Sequence, residues 1–183
     1  MKFFIVIIIF QFLGLNTQTV FNVIQDRATM TISGTSSLHD WESTIEDFKY
    51  TASITVEGNT LLEINQLDFK VTVKSIKSGK SMMDKKTYKA LREPNHPTIS
   101  YNLISAISQS GNTVTSTGEL IIAGKKKIVT MDVNYEIYSN IIVFHGELTL
   151  KMSDYEISPP TALMGTIKTG DEVTIRFSVP YLK

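Results

Sequence analysis

Apolar and polar residues alternate along most of this chain. Phe48, Tyr50, Ala52, Ile54 and Val56 share one parity. Leu67, Phe69, Val71 and Val73 do the same, with Asp68, Lys70, Thr72 and Lys74 between them. Successive side chains of a strand point to opposite faces, so a period of two predicts strands with one apolar and one polar face. The pattern returns at Ile99, Tyr101 and Leu103, from Val114 to Ala123, from Val129 to Ile137, from Ile142 to Met152 and from Val173 to Val179. Shorter extended runs precede it at Val20 to Ile24 and Ala28 to Ser33, the second broken by Gly34. A long strand is expected from Ile45 onward. Turns are expected at Glu57-Gly58-Asn59-Thr60, Ser110-Gly111-Asn112 and Ser139-Asn140. Gly124 with Lys125-Lys126-Lys127 reads as a solvated hairpin turn. This makes about nine or ten strands. No strand–helix–strand alternation is present, which argues against a parallel sheet and for an all-β chain. Long strands with one apolar face must curl or take a second sheet to bury it. Closure removes exposed edges, and about eight strands enclose an interior that side chains fill or that holds one small ligand. The expectation is a closed or nearly closed eight-stranded antiparallel barrel.

One stretch breaks the period. Over Ser81–Glu93, Met83, Tyr88 and Leu91 recur at helical spacing, while Lys85, Lys86, Lys89 and Arg92 cover the other face. Ser81 with Asp84 three residues on reads as a capping-box-like start, and Pro94 as the stop. A lone amphipathic helix among strands must lay its apolar face on the sheet or across a barrel mouth. It serves either as a structural plug or as a lid over a cavity.

The N-terminus departs from this alternation. Lys2 precedes FFIVIIIFQFLGL, an apolar run of signal-peptide length and shorter than the ~20 residues of a membrane span. The chain thus divides into a signal peptide at 1–18 and a barrel domain at 19–183, with cleavage between Leu15 and Thr19. An extracytoplasmic address follows, periplasmic or secreted, with no stable membrane anchor after cleavage. No cysteine is present, which excludes disulfides, thiolate metal sites and a cysteine nucleophile. Eighteen basic and 18 acidic residues balance, so net charge gives no argument for nucleic acid or for an anionic surface.

Candidate chemistry is sparse. His39, His96 and His145 lack metal-ligand spacing, and no metal ligand is assigned. His39 and Asp40 are adjacent, so in a strand they point to opposite faces. No Gly-x-Ser-x-Gly turn exists, and no catalytic residue is assigned. Trp41 is expected to plug the core, and Pro159-Pro160 to stiffen a loop.

Four segments together resemble the YceI-like family of exported proteins: GTSSLHDWE, MMDKKTYKALREPNHPTISY, GELIIAG and LKMSDYEISPPTALMGTIKTGDEVTIRF. They occur in order over nearly the whole chain after the leader. The resemblance implies an extended, lipocalin-like eight-stranded barrel with a short helix packed near one end. It also implies an elongated apolar tunnel holding a polyisoprenoid or other long-chain lipid, no other cofactor, and often a homodimer. Residues able to line such a tunnel are Phe69, Val71, Tyr101, Leu103, Leu120, Ile122, Phe144, Leu148, Ile175 and Phe177, with Met82, Met83, Tyr88 and Leu91 from the helix. Methionine suits an irregular chain ligand, and each buried isoprene unit contributes ~4 kcal/mol gross. Two other readings stand beside the lipid binder. One is a lipid-acting hydrolase or isomerase using His39, Asp40, His145 and Asp154 at the barrel mouth. The other is a structural or stress protein with a dry core.

Overall fold

The computed structural model describes residues 22–23 and 27–182. The expected leader, its cleavage point, and Val20, Phe21 and Ile24 of the first extended run lie outside the described residues. The described chain is all-β with one helix. Its strands are β1 (Asn22–Val23), β2 (Thr29–Ser36), β3 (Trp41–Ile45), β4 (Phe48–Glu57), β5 (Thr60–Thr72), β6 (Ile76–Lys77), β7 (Thr98–Ser108), β8 (Thr113–Ile122), β9 (Lys125–Tyr138), β10 (Ile141–Lys151), β11 (Thr161–Ala162) and β12 (Ile167–Leu182). The helix α1 (Ser81–Ala90) lies between β6 and β7. All pairings are antiparallel, and the hydrogen-bonded path runs β4-β5-β7-β8-β9-β10-β12-β2-β3-β6. Most neighbours follow each other in sequence, as the short turns at Gly58, Gly111 and Asn140 require.

The sheet is not the closed eight-stranded barrel expected. It is a ten-strand antiparallel sheet curled into a half-barrel, with β4 at one end of the path and β6 at the other. The expected long strand from Ile45 is broken at Glu46–Asp47, and this break explains the difference. The Glu46 N–H donates to the Ser75 carbonyl, and the Thr72 N–H to the Asp47 carbonyl. The Ser75 hydroxyl lies 3.0 Å from the same Asp47 carbonyl and 2.8 Å from that of Thr72, and the Thr72 hydroxyl donates to the Asp47 carboxylate at 2.8 Å. A corner of side-chain and turn bonds thus stands where a barrel would have an unbroken ladder. Val73, read as strand, belongs to the short 3-10 turn (Val73–Ser75) that makes this corner.

Alternation holds along β8, β9 and β10, and is interrupted in β5, β7 and β12, where the pairing register shifts or consecutive residues are buried. In β8 every second residue from Val114 to Ile122 is buried and those between are half-buried. The hairpin at Gly124 is tighter than expected. Ala123 and Gly124, both left-handed, make the turn, and Lys125, Lys126 and Lys127 already pair with β8. The helix also starts and stops differently. Lys80 is its N-cap without a side-chain bond, and Asp84 instead accepts bonds from the Ser78 N–H (2.8 Å) and hydroxyl (2.6 Å). It ends before Pro94, where Glu93 donates to Tyr88 and Arg92 to Lys89 around a left-handed Arg92. This pair of bonds is the Schellman closure of a helix C-terminus.

Three buried clusters fill the curl. One, near the β4–β5 and β9–β10 turns, gathers Ile54, Leu61, Val114, Val133, Tyr135, Ile142, Phe144, Val179 and Tyr181. A second centres on Tyr101, Leu120, Ile122, Tyr155 and Ile157, and a third on Met30, Ile45, Phe48, Val71 and Ile76. Rings lie directly on three strand glycines, Gly34 under Trp41, Gly118 and Gly146. A Cβ on Gly118 would sit 2.3 Å from the Tyr101 ring, and one on Gly146 would sit 2.2 Å from the Phe177 ring. Gly146→Ala is therefore expected to cost about 1–3 kcal/mol of stability by overpacking. Urea unfolding of the variant against wild type measures this.

Candidate functional site: an apolar cavity under the helix

The second and third clusters touch only through Phe69, Leu91 and Ile99, and a cavity of about 500 Å³ remains between them and α1. Its floor comes from the first cluster, through Ala52, Ile54, Phe144, Val179 and Tyr181. Its walls are strand residues of inward parity, and its mouth is edged by the β2–β3 loop, α1 and the segment around β11. Of the residues expected to line a tunnel, Phe69, Val71, Met82, Met83, Leu91, Tyr101, Leu120, Ile122, Phe144, Leu148, Ile175 and Phe177 all face this space. Tyr88 and Leu103 do not. The Tyr88 hydroxyl lies 2.9 Å from the Lys74 carbonyl and 3.0 Å from that of Ile76, and accepts from the Lys77 ammonium at 3.0 Å. That ammonium also stands 5.5 Å from the ring centroid. Tyr88 therefore ties the helix to the β5–β6 corner. Leu103 is half-buried against the second cluster beside a break in the β7–β8 register.

Sequence reasoning missed much of the mouth. Trp41 does not plug the core. It is half-buried, lies over Gly34, donates its indole N–H to the Thr35 carbonyl at 3.0 Å and lines the cavity. Leu38, Lys80, Lys86, Ala162 and Ile167 edge the same opening. Leu38 and Lys80 sit in loops, Ala162 and Ile167 at the ends of strands too short or too irregular to show a period, and Lys86 on the polar face of α1; the Trp41–Gly34 pairing in register is the only local hint.

Polar groups inside are few. The Tyr101 hydroxyl and the Ser116 hydroxyl are 2.7 Å apart and satisfy each other. The Tyr50 hydroxyl is buried at the cavity with no hydrogen-bond partner among the described residues. Burial pushes the phenols of Tyr50, Tyr181 and Tyr101 above their usual range, and that of Tyr155 up to about 12. Of the three histidines only His39 lines the cavity, its Nδ1 2.6 Å from the Asp40 backbone carbonyl. His96 packs on Gly124, and His145 lies on β10 next to inward-facing Phe144 and so on the outer face. No aspartate or glutamate of the described residues lines the cavity. Nor do the described residues hold any group of three His, Asp or Glu placed to bind a metal.

The sequence matches the YceI-like domain family over residues 17–181. The chain belongs to the YceI-like family. No protein of curated function matches it in sequence. Among solved structures, Burkholderia cenocepacia BcnA superposes with a TM-score of 0.75 at 18% identity, over 87% of this chain and 99% of that one. A polyisoprenoid binding domain from Saccharophagus degradans, implicated in plant cell wall breakdown, gives 0.66 at 10% identity, over 89% and 98%. The Campylobacter jejuni YceI protein gives 0.61 at 17% identity, over 74% and 81%. At these identities the likeness is one of fold. In this YceI-like chain the segments GTSSLHDWE, MMDKKTYKALREP and SPPTALMGTIKT all contribute residues to the mouth.

The buried phenols give a pH prediction. A phenol whose pKa is raised on folding favours the folded state below its unfolded pKa near 10, and that stability is lost as pH climbs through the folded value. Stability should therefore fall between pH 10 and 12 as Tyr155 titrates. In an alkaline titration, tyrosinate absorbance and loss of strand circular dichroism should rise together.

Proposed function

We propose that this YceI-like protein holds a long apolar lipid of the polyisoprenoid type in the cavity beneath α1, as a carrier, store or sequestering module outside the cytoplasm. The observation that carries this reading is the cavity itself. Its size falls within the ~300–1,000 Å³ of small-molecule sites, and packed interiors leave few voids larger than a water. A dry structural core has no reason to keep it open. Its lining is aliphatic, aromatic and methionine-rich, with no carboxylate among the described residues. Such a surface favours a hydrocarbon over a charged solute, because a charge would be desolvated there without a partner. The polyisoprenoid-binding neighbour of like fold supports the same ligand class. The apolar leader at 1–18 supports export. The hydrolase alternative is weaker on geometry: of His39, Asp40, His145 and Asp154, His39 alone reaches the cavity.

Native mass spectrometry of gently purified protein from its own host should give a mass above that of the processed chain, with a lipid recoverable by organic extraction. The bare mass, with no uptake of added polyprenyl alcohol, would remove the proposal. Leu91, at the C-cap of α1, faces the cavity. Leu91→Ala should cost about 2 kcal/mol in stripped protein, the low end for a leucine truncation. It should cost less in loaded protein, where the lipid shifts into the gap, and lipid retention should drop. Thermal unfolding of both forms with and without lipid makes the comparison.

A further inference from the structure

Exposed apolar side chains such as Leu62, Ile104, Ile107 and Ile128 are spread over the outer strands, but the most exposed ones gather at the mouth of the cavity. Four large apolar side chains stand out into solvent there: Leu38 at 66% exposure, Met82 at 67%, Leu163 at 71% and Met164 fully exposed. They come from three segments distant in sequence that are bonded into one rim. The Lys86 ammonium donates to the Thr161 carbonyl, joining α1 to β11. The Ser37 N–H donates to the Lys168 carbonyl at 2.9 Å, and the Lys168 N–H to the Ser37 hydroxyl at 3.1 Å, joining the β2–β3 loop to β12. The Thr169 N–H donates to the Pro160 carbonyl.

The segment carrying Leu163 and Met164 is held in an unfavourable conformation. Leu163, Met164 and Gly165 are all left-handed, with φ of 46°, 55° and 90°. For a residue with a Cβ this region is sterically costly. The strain here aims two long apolar side chains away from the protein.

Charge completes the picture. The rim segments carry Lys80, Lys85, Lys86, Lys89 and Lys168 against Asp40 and Asp84. Asp84 is engaged by Ser78, whose hydroxyl and N–H hold its carboxyl below the usual range. On α1, Met82, Lys85, Lys86 and Lys89 fall at the spacing of one helix face. The whole chain is neutral, so this end is basic relative to the remainder. Protruding apolar side chains ringed by lysines fit one partner chemistry, the interface of an anionic bilayer. There apolar groups enter the acyl boundary while ammonium groups meet the headgroups.

We propose that the open end of the half-barrel docks reversibly on an anionic lipid surface through Leu163, Met164, Met82 and Leu38, with the flanking lysines supplying electrostatic attraction. Its use rests on the lipid-binding reading: docked this way, the cavity opens directly onto the bilayer, and an apolar ligand passes between them without crossing water.

The test is co-sedimentation of the processed protein, recovered from the export compartment of an expressing host, with two kinds of vesicle. One is pure phosphatidylcholine and the other phosphatidylcholine with about a third phosphatidylglycerol. Binding is expected to the anionic vesicles, weakening with added salt, and to be much weaker on the neutral ones. The double variant Leu163→Ser/Met164→Ser, and separately Lys85→Gln/Lys168→Gln, should each weaken it about tenfold. All four positions are exposed, so unfolding midpoints should match wild type, which checks that the variants fold. Protein that ignores both vesicles, or binds them equally with and without the substitutions, overturns the proposal. So does a stable dimer in sedimentation equilibrium that the Leu163→Ser/Met164→Ser variant dissociates, because the apolar rim then serves a second copy. Lipid retention is measured on the same samples. Protein that retains lipid but ignores vesicles loses only the docking proposal, and protein that binds vesicles but takes up no lipid supports docking while losing the cavity reading.

Discussion

A chain of aromatic rings across the interior holds the sheet in its curl. Phe69 on β5 meets Phe48 on β4 with centroids 5.3 Å apart, and Tyr50 on β4 meets Tyr181 on β12 edge-on at 5.3 Å. Tyr181 meets Phe144 on β10 edge-on at 5.6 Å, and Phe144 meets Tyr135 on β9 at 6.1 Å. β4 is one end of the hydrogen-bonded path, while β12 and β10 lie in its middle. Ring contacts between them therefore force the sheet to bend back on itself. Edge-to-face pairs contribute about 0.5–1.5 kcal/mol each beyond the area they bury. They also fix an angle, which aliphatic packing does not.

The cavity follows from where that chain lies. Tyr135, Phe144, Tyr181 and the rest of the first cluster fill the curl near the β4–β5 and β9–β10 turns, and there the apolar faces touch. Toward the other end the second and third clusters, bridged at Phe69, Leu91 and Ile99, leave the space between them unfilled. The helix cannot fill it: none of its residues is fully buried, Tyr88 binds it to the β5–β6 corner, and Asp84 binds back to Ser78 in the segment that leads into it. An element resting on a few polar bonds, with apolar contact on one side only, opens at lower free energy than the strands it packs on.

The rim extends this logic to the surface. Residues buried in a floor need neighbours, and residues at a mouth need only a partner outside. Leu163 and Met164 in a left-handed turn, Trp41 over Gly34 and Met82 on the first turn of α1 are all placed by loops bonded to one another. The chain's even balance of charge hides the lysines at this end.

Sequence alone determined the parities and the turns. Val114 to Ile122 alternate because neighbouring side chains of a strand oppose each other, and Gly58 and Gly111 mark reversals because their backbones are left-handed. Parity is local, so Phe69, Tyr101, Leu120, Phe144 and Phe177 were legible as inward-facing without coordinates. The motifs of the YceI-like family were legible in the same way, since they are runs of adjacent residues. Only the tertiary structure decided how the sheet ends. The corner at Glu46–Asp47 depends on Thr72 and Ser75, more than twenty residues away. Only it turned Tyr88 from an expected cavity residue into a tether, because its partners at Lys74, Ile76 and Lys77 lie on a turn and strand that helical spacing does not describe. It also gathered Leu38, Met82 and Met164 into one rim. An alternating pattern states which face of a strand is apolar; what that face meets is set by pairings between distant segments, and those exist only once the sheet has curled.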